Sequence, residues 1–198
     1  MRITTAVFDK NAVNATNIVD YIADVFDRRG TESYLGEEVS MAQHMLQAAQ
    51  QAEMSQAEPE LVVAALLHDI GHYSNEIPDH VLMQGTNNYH EEAGANFLAD
   101  YFPLSVTEPI RQHVATKRYL CATDPEYYSR LSEASVYTLK VQGGPMSRDE
   151  VAEFEKSPYL ELCIKVRIWD DRGKDPEKPH PDFSHYREIL QSLVQHAE

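Results

Sequence analysis

The segment from Leu61 to Ile70, Leu-Val-Val-Ala-Ala-Leu-Leu-His-Asp-Ile, constrains this chain more than any other. It is apolar nearly all round, so a helix built from it has no wet face and belongs in the middle of a protein. Pro59 suits the first turn of that helix, where its missing N–H is not needed. Yet the run ends on His68 and Asp69, with Gly71 and His72 following. Burying such groups unpaired costs roughly 2–7 kcal/mol each. A divalent or trivalent cation satisfies them, because neutral imidazole offers nitrogen and an aspartate can bridge two metals with its two oxygens. A purely structural His-Asp pair capping a helix end is the alternative, and the dipeptide alone leaves both readings open.

Helical periodicity dominates the rest. Ile18, Val19, Ile22, Val25 and Phe26 mark a first helix over Asn14–Arg28, and Val39, Met41, Ala42, Met45, Leu46 and Ala49 a second running to Met54. Gly71 permits a turn after the central helix, and Ser74–Asn88 reads as a loop with Pro78 and Gly85. Helical patterns resume over Tyr89–Phe102, Thr107–Ala115, Pro125–Val141, Ser147–Glu155 and Tyr159–Asp171. Residues 173–181 hold three prolines and form an extended connector to a last amphipathic helix, Phe183–His196. No run alternates as a central strand would, so the expected fold class is all-α, a helical bundle. One domain over 1–198 is expected, with a helical core at 13–171 and the connector and C-terminal helix at 172–198.

At 198 residues and 42% hydrophobic, the chain can bury a core without disulfides, and its two cysteines, Cys121 and Cys163, form neither a disulfide framework nor a CxxC site. A formal charge of −15 argues against nucleic acid as a partner. A small anion can still bind where a few Lys and Arg converge. Met1–Phe26 mixes polar residues into its apolar ones, so neither a signal peptide nor a membrane span is expected there, and the expected location is cytoplasmic.

Further histidines tip the balance at His68-Asp69. His44 lies mid-helix among Ala and Met, His90 and His113 sit at or near helical segments, and Asp170 follows Trp169 in a helix of Leu, Ile and Val. An aspartate there is awkward in a core unless it coordinates something. His44, His68-Asp69 and Asp170 follow the ligand order of the HD superfamily of metal enzymes. Six segments carry a closer likeness: Tyr34-Leu35-Gly36-Glu37, Leu66–Tyr73, His113–Leu120, Leu131–Ser135, Gln142–Met146 and Arg167–Asp170. In order and spacing they resemble the HD-domain mixed-valence di-iron oxygenases that cleave organophosphonates, over residues from about 30 to 174.

That resemblance implies two iron ions, Fe(II)/Fe(III), with O2 as co-substrate. His44, His68, Asp69 and Asp170 would hold one, and Asp69, His90 and His113 the other. Tyr34 and Glu37 would close the resting site and move aside for substrate, leaving Glu37 beside its amine or ammonium. His72 would handle protons, and Lys117, Ser135, Thr138 and Arg167 would hold a phosphonate, for which an Arg fork and a Lys point charge are chemically suited. The implied substrate is 1-hydroxy-2-(trimethylammonio)ethylphosphonate, giving glycine betaine and phosphate; the primary-amine analogue, giving glycine, is the alternative. A quaternary ammonium favours aromatic faces and carboxylates, so a cage is expected from Tyr34, Tyr73, Tyr89 and Tyr119 with Glu37 and Glu38. An HD-type phosphohydrolase and a non-catalytic signalling module are competing readings. His80, His180, His185 and His196 carry no usable pattern, and Asp149, Glu150, Glu153 and Glu155 read as a solvated face.

Overall fold

A computed structural model describes residues 12–34, 36–74, 82 and 84–195. Residues 1–11, Leu35, His80, His196 and most of the expected 74–88 loop lie outside the described residues. The architecture is all-α: α1 (Ile18–Arg29), α2 (Met41–Met54), α3 (Pro59–Leu67), α4 (Gly71–Ser74), α5 (His90–Leu98), α6 (Leu104–Thr123), α7 (Glu133–Val141), α8 (Arg148–Phe154), α9 (Leu160–Arg172) and α10 (Arg187–Leu193). Among the described residues there is no strand, only an isolated bridge between Ser33 and Ser40, and no helix is long and apolar enough to cross a membrane.

Helix α3 takes the central place its composition demands. Every residue from Leu61 to Leu67 is buried, and α2, α6 and α9 pack around it. One apolar cluster runs from Ile18 in α1 through α3 to Tyr186 and Leu190 by the C-terminal helix. The helix starts are set locally. Ser40 and Gln43 form a capping box on α2, Ser147 and Glu150 another on α8, and Ser132 accepts the Ser135 N–H to open α7.

Several boundaries differ from expectation, each for a local reason. The expected Pro125–Val141 helix is broken: a 3-10 turn at Tyr128–Arg130 leads to extended Leu131 and Ser132, since an N-cap residue leaves helical geometry. Helix α6 spans Leu104–Thr123 rather than Thr107–Ala115, because Thr116 and Lys117 are polar positions of a buried face. The last segment splits into a 3-10 turn, Phe183–Tyr186, and the short α10. Gly71 was expected to serve a turn, but it begins α4 and serves close approach: a Cβ there would lie 1.8 Å from the His90 carbonyl oxygen and 2.7 Å from Gly94 N.

Because both neighbours are backbone atoms, relief requires α4 and α5 to separate. Gly71→Ala is expected to destabilise the fold by about 3 kcal/mol. Urea unfolding would show this as a lowered midpoint, and an unchanged midpoint would mean that the two helices are not in that contact.

Candidate metal centre

Six side chains expected to share a site do converge, although each comes from a different part of the chain. His44 projects from the middle of α2, His68 and Asp69 from the turn after α3, His90 from the first residue of α5, His113 from α6 and Asp170 from α9. None is more than 4% exposed.

The imidazoles share a common arrangement. His44 Nδ1 lies 2.9 Å from the Gly173 carbonyl, His68 Nδ1 2.8 Å from that of Ala65, and His113 Nδ1 2.8 Å from that of Ile110. His90 Nδ1 faces Asn88 Oδ1 at 3.0 Å. A proton on Nδ1 satisfies each acceptor and leaves the Nε2 lone pair pointing inward, the usual way in which metal-binding imidazoles are oriented. The inward nitrogens then meet one another: His44 and His68 Nε2 are 2.9 Å apart, and His90 and His113 Nε2 3.1 Å apart. Two lone pairs at that distance repel unless a cation lies beside both. Ligands at about 2.1 Å from one metal and at right angles are about 3.0 Å from each other, so the spacing suits a shared ion.

Asp69 joins the two pairs. Its Oδ2 is 3.4 Å from both His44 and His68 Nε2, while its Oδ1 is 3.3 Å from His90 Nε2 and 3.4 Å from His113 Nε2. Asp170 belongs to the first group, with Oδ1 3.4 Å from His44 Nε2. Asp69 Oδ2 and Asp170 Oδ1 are buried and accept no hydrogen bond from the described residues. Orphaned carboxylate oxygens opposite inward-facing imidazole nitrogens fit a pair of metal ions, one on each side of Asp69.

The electrostatics agree. Burial opposes charge on Asp69, yet His68 first, and then His113 and His44 close to its oxygens, hold its carboxyl well below the usual range. Asp170 is likewise held low against burial, first by Arg167. Burial also opposes a charged His68, but Asp69 and Asp170 lift it to about 9. His90 falls to about 3 through burial and the neighbouring His72. This cluster is built around positive charge at its centre.

His72 stacks on His90 with centroids 4.0 Å apart, and its Nε2 is 3.8 Å from Asp69 Oδ1. It lines a cavity beside the cluster, together with Tyr34, Glu37, Lys117, Ser135, Thr138 and Arg167. All seven residues proposed around the metal ligands therefore face one space. Tyr34 stacks on His44 at 4.0 Å, and burial followed by Asp69 raises its phenol. Lys117 Nζ donates to Thr138 Oγ1 at 2.9 Å. Arg167 is more occupied than expected: it pairs with Asp170 at 2.6 Å and with Asp171, and its Nε donates to Tyr127 Oη at 3.1 Å. A guanidinium has five donors, so these contacts leave N–H groups for an anion.

The four-tyrosine cage does not assemble. Only Tyr34 lines the cavity; Tyr73 lies under the Arg29 guanidinium at 4.7 Å, Tyr89 is exposed, and Tyr119 packs on Phe154 and donates to Glu155. Lys174 and Gln142 also line it without having been given a role, although Gln142 opens one of the six segments that carry the family likeness. Lys174 sits among prolines and charges that read as a connector, and only the return of that connector across α2 brings it inward. Asp149, Glu150, Glu153 and Glu155 are exposed, as expected of a solvated face.

Residues 41–170 match the HD domain family. The chain is 51% identical over 186 residues to the 1-hydroxy-2-(trimethylamino)ethylphosphonate dioxygenase (glycine-betaine-forming) of Leisingera caerulea, covering 94% of this chain and 95% of that protein. It is 40% identical over 169 residues to the hydroxymethylphosphonate dioxygenase of Gimesia maris, covering 84% and 83%. An uncharacterized protein of Acanthamoeba polyphaga mimivirus is 33% identical over 187 residues, covering 93% of this chain and 85% of that one. The chain belongs to the HD-domain family, in the branch that holds the two phosphonate dioxygenases.

Proposed function

We propose that this chain, acting as one HD domain, is a di-iron oxygenase that cleaves the C–P bond of (R)-1-hydroxy-2-(trimethylammonio)ethylphosphonate with O2, giving glycine betaine and phosphate. The observation that carries the proposal is the division of Asp69 between two imidazole pairs beside a cavity lined with cations. The 51% identity to the glycine-betaine-forming dioxygenase over nearly the whole chain supports the choice of substrate. His44, His68 and Asp170 would hold one iron and His90 and His113 the other, with Asp69 shared.

The reaction balances without an external reductant. The C1–H and C1–P bonds break, C1 gives up four electrons to one O2, and the products are a carboxylate, phosphate and one proton. When bound, the iron pair supplies Lewis acidity toward the hydroxyl and phosphonate oxygens and the redox capacity to activate dioxygen.

The protein supplies position and charge. Lys117, Ser135, Thr138 and Arg167 face the phosphonate from α6, α7 and α9, so its three oxygens meet donors on several sides. Glu37 meets the quaternary ammonium, which can donate no hydrogen bond and needs charge instead. Tyr34, over His44, shields that side of the site from water. His72 is placed to hold a proton at Nε2, within the cavity and beside Asp69.

The direct test is phosphate release from this phosphonate and from its primary-amine analogue, with iron-reconstituted protein and with or without O2. Oxygen-dependent release of phosphate with glycine betaine is the expected result, and faster turnover of the primary amine would reassign the substrate. Anaerobic hydrolysis of phosphate esters with no release from either phosphonate would overturn the oxygenase reading.

The shared carboxylate sets a pattern of iron loss. Asp69→Ala should abolish iron binding, whereas His44→Ala or His113→Ala should lower iron content to about half, since each disturbs one side only. Metal analysis reads this directly, and full occupancy in Asp69→Ala would remove it as the bridge.

Lys117 gives a pH signature. Burial, then Arg167, lowers its ammonium to about 7, so above that pH the free site must first protonate it in order to bind a dianion. Phosphonate affinity is therefore expected to fall as pH rises above about 7, by roughly tenfold per unit until the bound-state pKa is reached. Lys117→Met should bind more weakly and lose this slope; if it keeps the slope, another group titrates.

A further inference from the structure

Glu37 already has a cation beside it. Lys174 Nζ lies 3.3 Å from Glu37 Oε1, and the same carboxylate oxygen accepts a hydrogen bond from Ser132 Oγ at 2.5 Å. The ammonium also donates to Ser135 Oγ at 2.7 Å, sits 5.9 Å from the centre of the Tyr34 ring, and has Asp171 Oδ1 at 4.0 Å. Both side chains of the pair are only 12–13% exposed. Lys174 therefore stands between the carboxylate assigned to the substrate's ammonium and a hydroxyl assigned to its phosphonate.

Its backbone is fixed there. Gly173, the preceding residue, accepts a hydrogen bond from His44 Nδ1, and a Cβ on Gly173 would lie 2.8 Å from the His44 carbonyl oxygen. The chain is thus pressed onto α2, while Lys174 carries its ammonium on a flexible four-carbon stem. Its ammonium can turn from Glu37 toward the anion side while its backbone stays in place.

Resting on the phosphonate reading, we infer that Lys174 is the counter-ion of Glu37 in the substrate-free site and exchanges Glu37 for the incoming phosphonate, which releases Glu37 to the substrate's own cation and makes the pair a filter for zwitterionic phosphonates. Breaking a buried ion pair is costly when one partner is left alone. A zwitterion avoids this, because its anion takes Lys174 and its cation takes Glu37. A purely anionic phosphonate has no such exchange. Either Lys174 stays with Glu37 and contributes little, or Glu37 is left uncompensated in a closed site.

The test is calorimetric titration of the iron-loaded protein under anaerobic conditions, so that binding is read without turnover. The two probes are 1-hydroxy-2-(trimethylammonio)ethylphosphonate and hydroxymethylphosphonate, and the variants are Lys174→Met, Lys174→Arg, Glu37→Gln and the Lys174→Met/Glu37→Gln double. Lys174→Met should weaken hydroxymethylphosphonate about tenfold more than the zwitterion, and Lys174→Arg should keep the wild-type ratio. Glu37→Gln should tighten hydroxymethylphosphonate in both backgrounds, and more in the Lys174→Met one, where no cation offsets the carboxylate. Equal weakening of both probes by Lys174→Met, or a Glu37→Gln effect indifferent to Lys174, would overturn the exchange and leave the oxygenase reading standing. Wild-type protein that binds neither probe would overturn both.

Discussion

A buried carboxylate with its two oxygens turned to different partners organises this molecule. Asp69 follows the most apolar helix of the chain, where an unpaired charge is least tolerable, and on either side it meets a pair of imidazoles whose lone pairs point inward. Among the described residues no hydrogen-bond donor meets Asp69 Oδ2 or Asp170 Oδ1. Cations satisfy them, and the requirement reaches outward through the hydrogen bonds that hold the rings. His44 leans on the carbonyl of Gly173, His68 on Ala65, His113 on Ile110 and His90 on the side chain of Asn88.

Because α2, α5, α6, α9 and the turn after α3 each bring a side chain to the cluster, a metal pair bound there would tie these elements together. Metal binding and tertiary packing should accordingly be coupled, with metal favouring the assembled state. The Gly71 contact serves the same end. It lets α4 come against the start of α5, which sets His72 and His90 face to face at 4.0 Å. A larger residue at position 71 would disturb an imidazole stack as well as a helix contact.

The fold class and the convergence of the six ionisable side chains were legible in the sequence for different reasons. An all-round apolar helix ending in His-Asp poses a local physical contradiction, and periodicity supplied the surrounding helices. Grouping His90 and His113 with them required family resemblance, since neither has a telling neighbour. Boundaries were lost where polar residues face inward: the expected helix stopped at Ala115, but Thr116 and Lys117 continue it, at most 4% exposed. The tyrosine cage failed because closeness to a motif in sequence says nothing about which way a ring points; Tyr34 turns inward and Tyr89 outward. Lys174 was hidden because its position depends on the path of a connector, which has no periodicity to read.

Overall charge and local charge point in opposite directions here. The chain carries −15, yet Lys117, Arg167 and Lys174 line one small cavity. Each is restrained by a different group: Lys117 by Thr138, Arg167 by Asp170 and Asp171, Lys174 by Glu37. Arg167 and Lys174 are thus offset by carboxylates, whereas Lys117, beside a neutral hydroxyl, is lowered by burial and then by Arg167. The three are therefore unequal. Arg167 is tied to Asp170 and so belongs as much to the metal side as to the substrate side, while Lys174, on a flexible stem, is held by Glu37 at 3.3 Å and by the Ser135 hydroxyl at 2.7 Å. Of the three, Lys174 can change partners with the least disturbance to the buried centre, which makes it the natural place for the site to distinguish one anion from another.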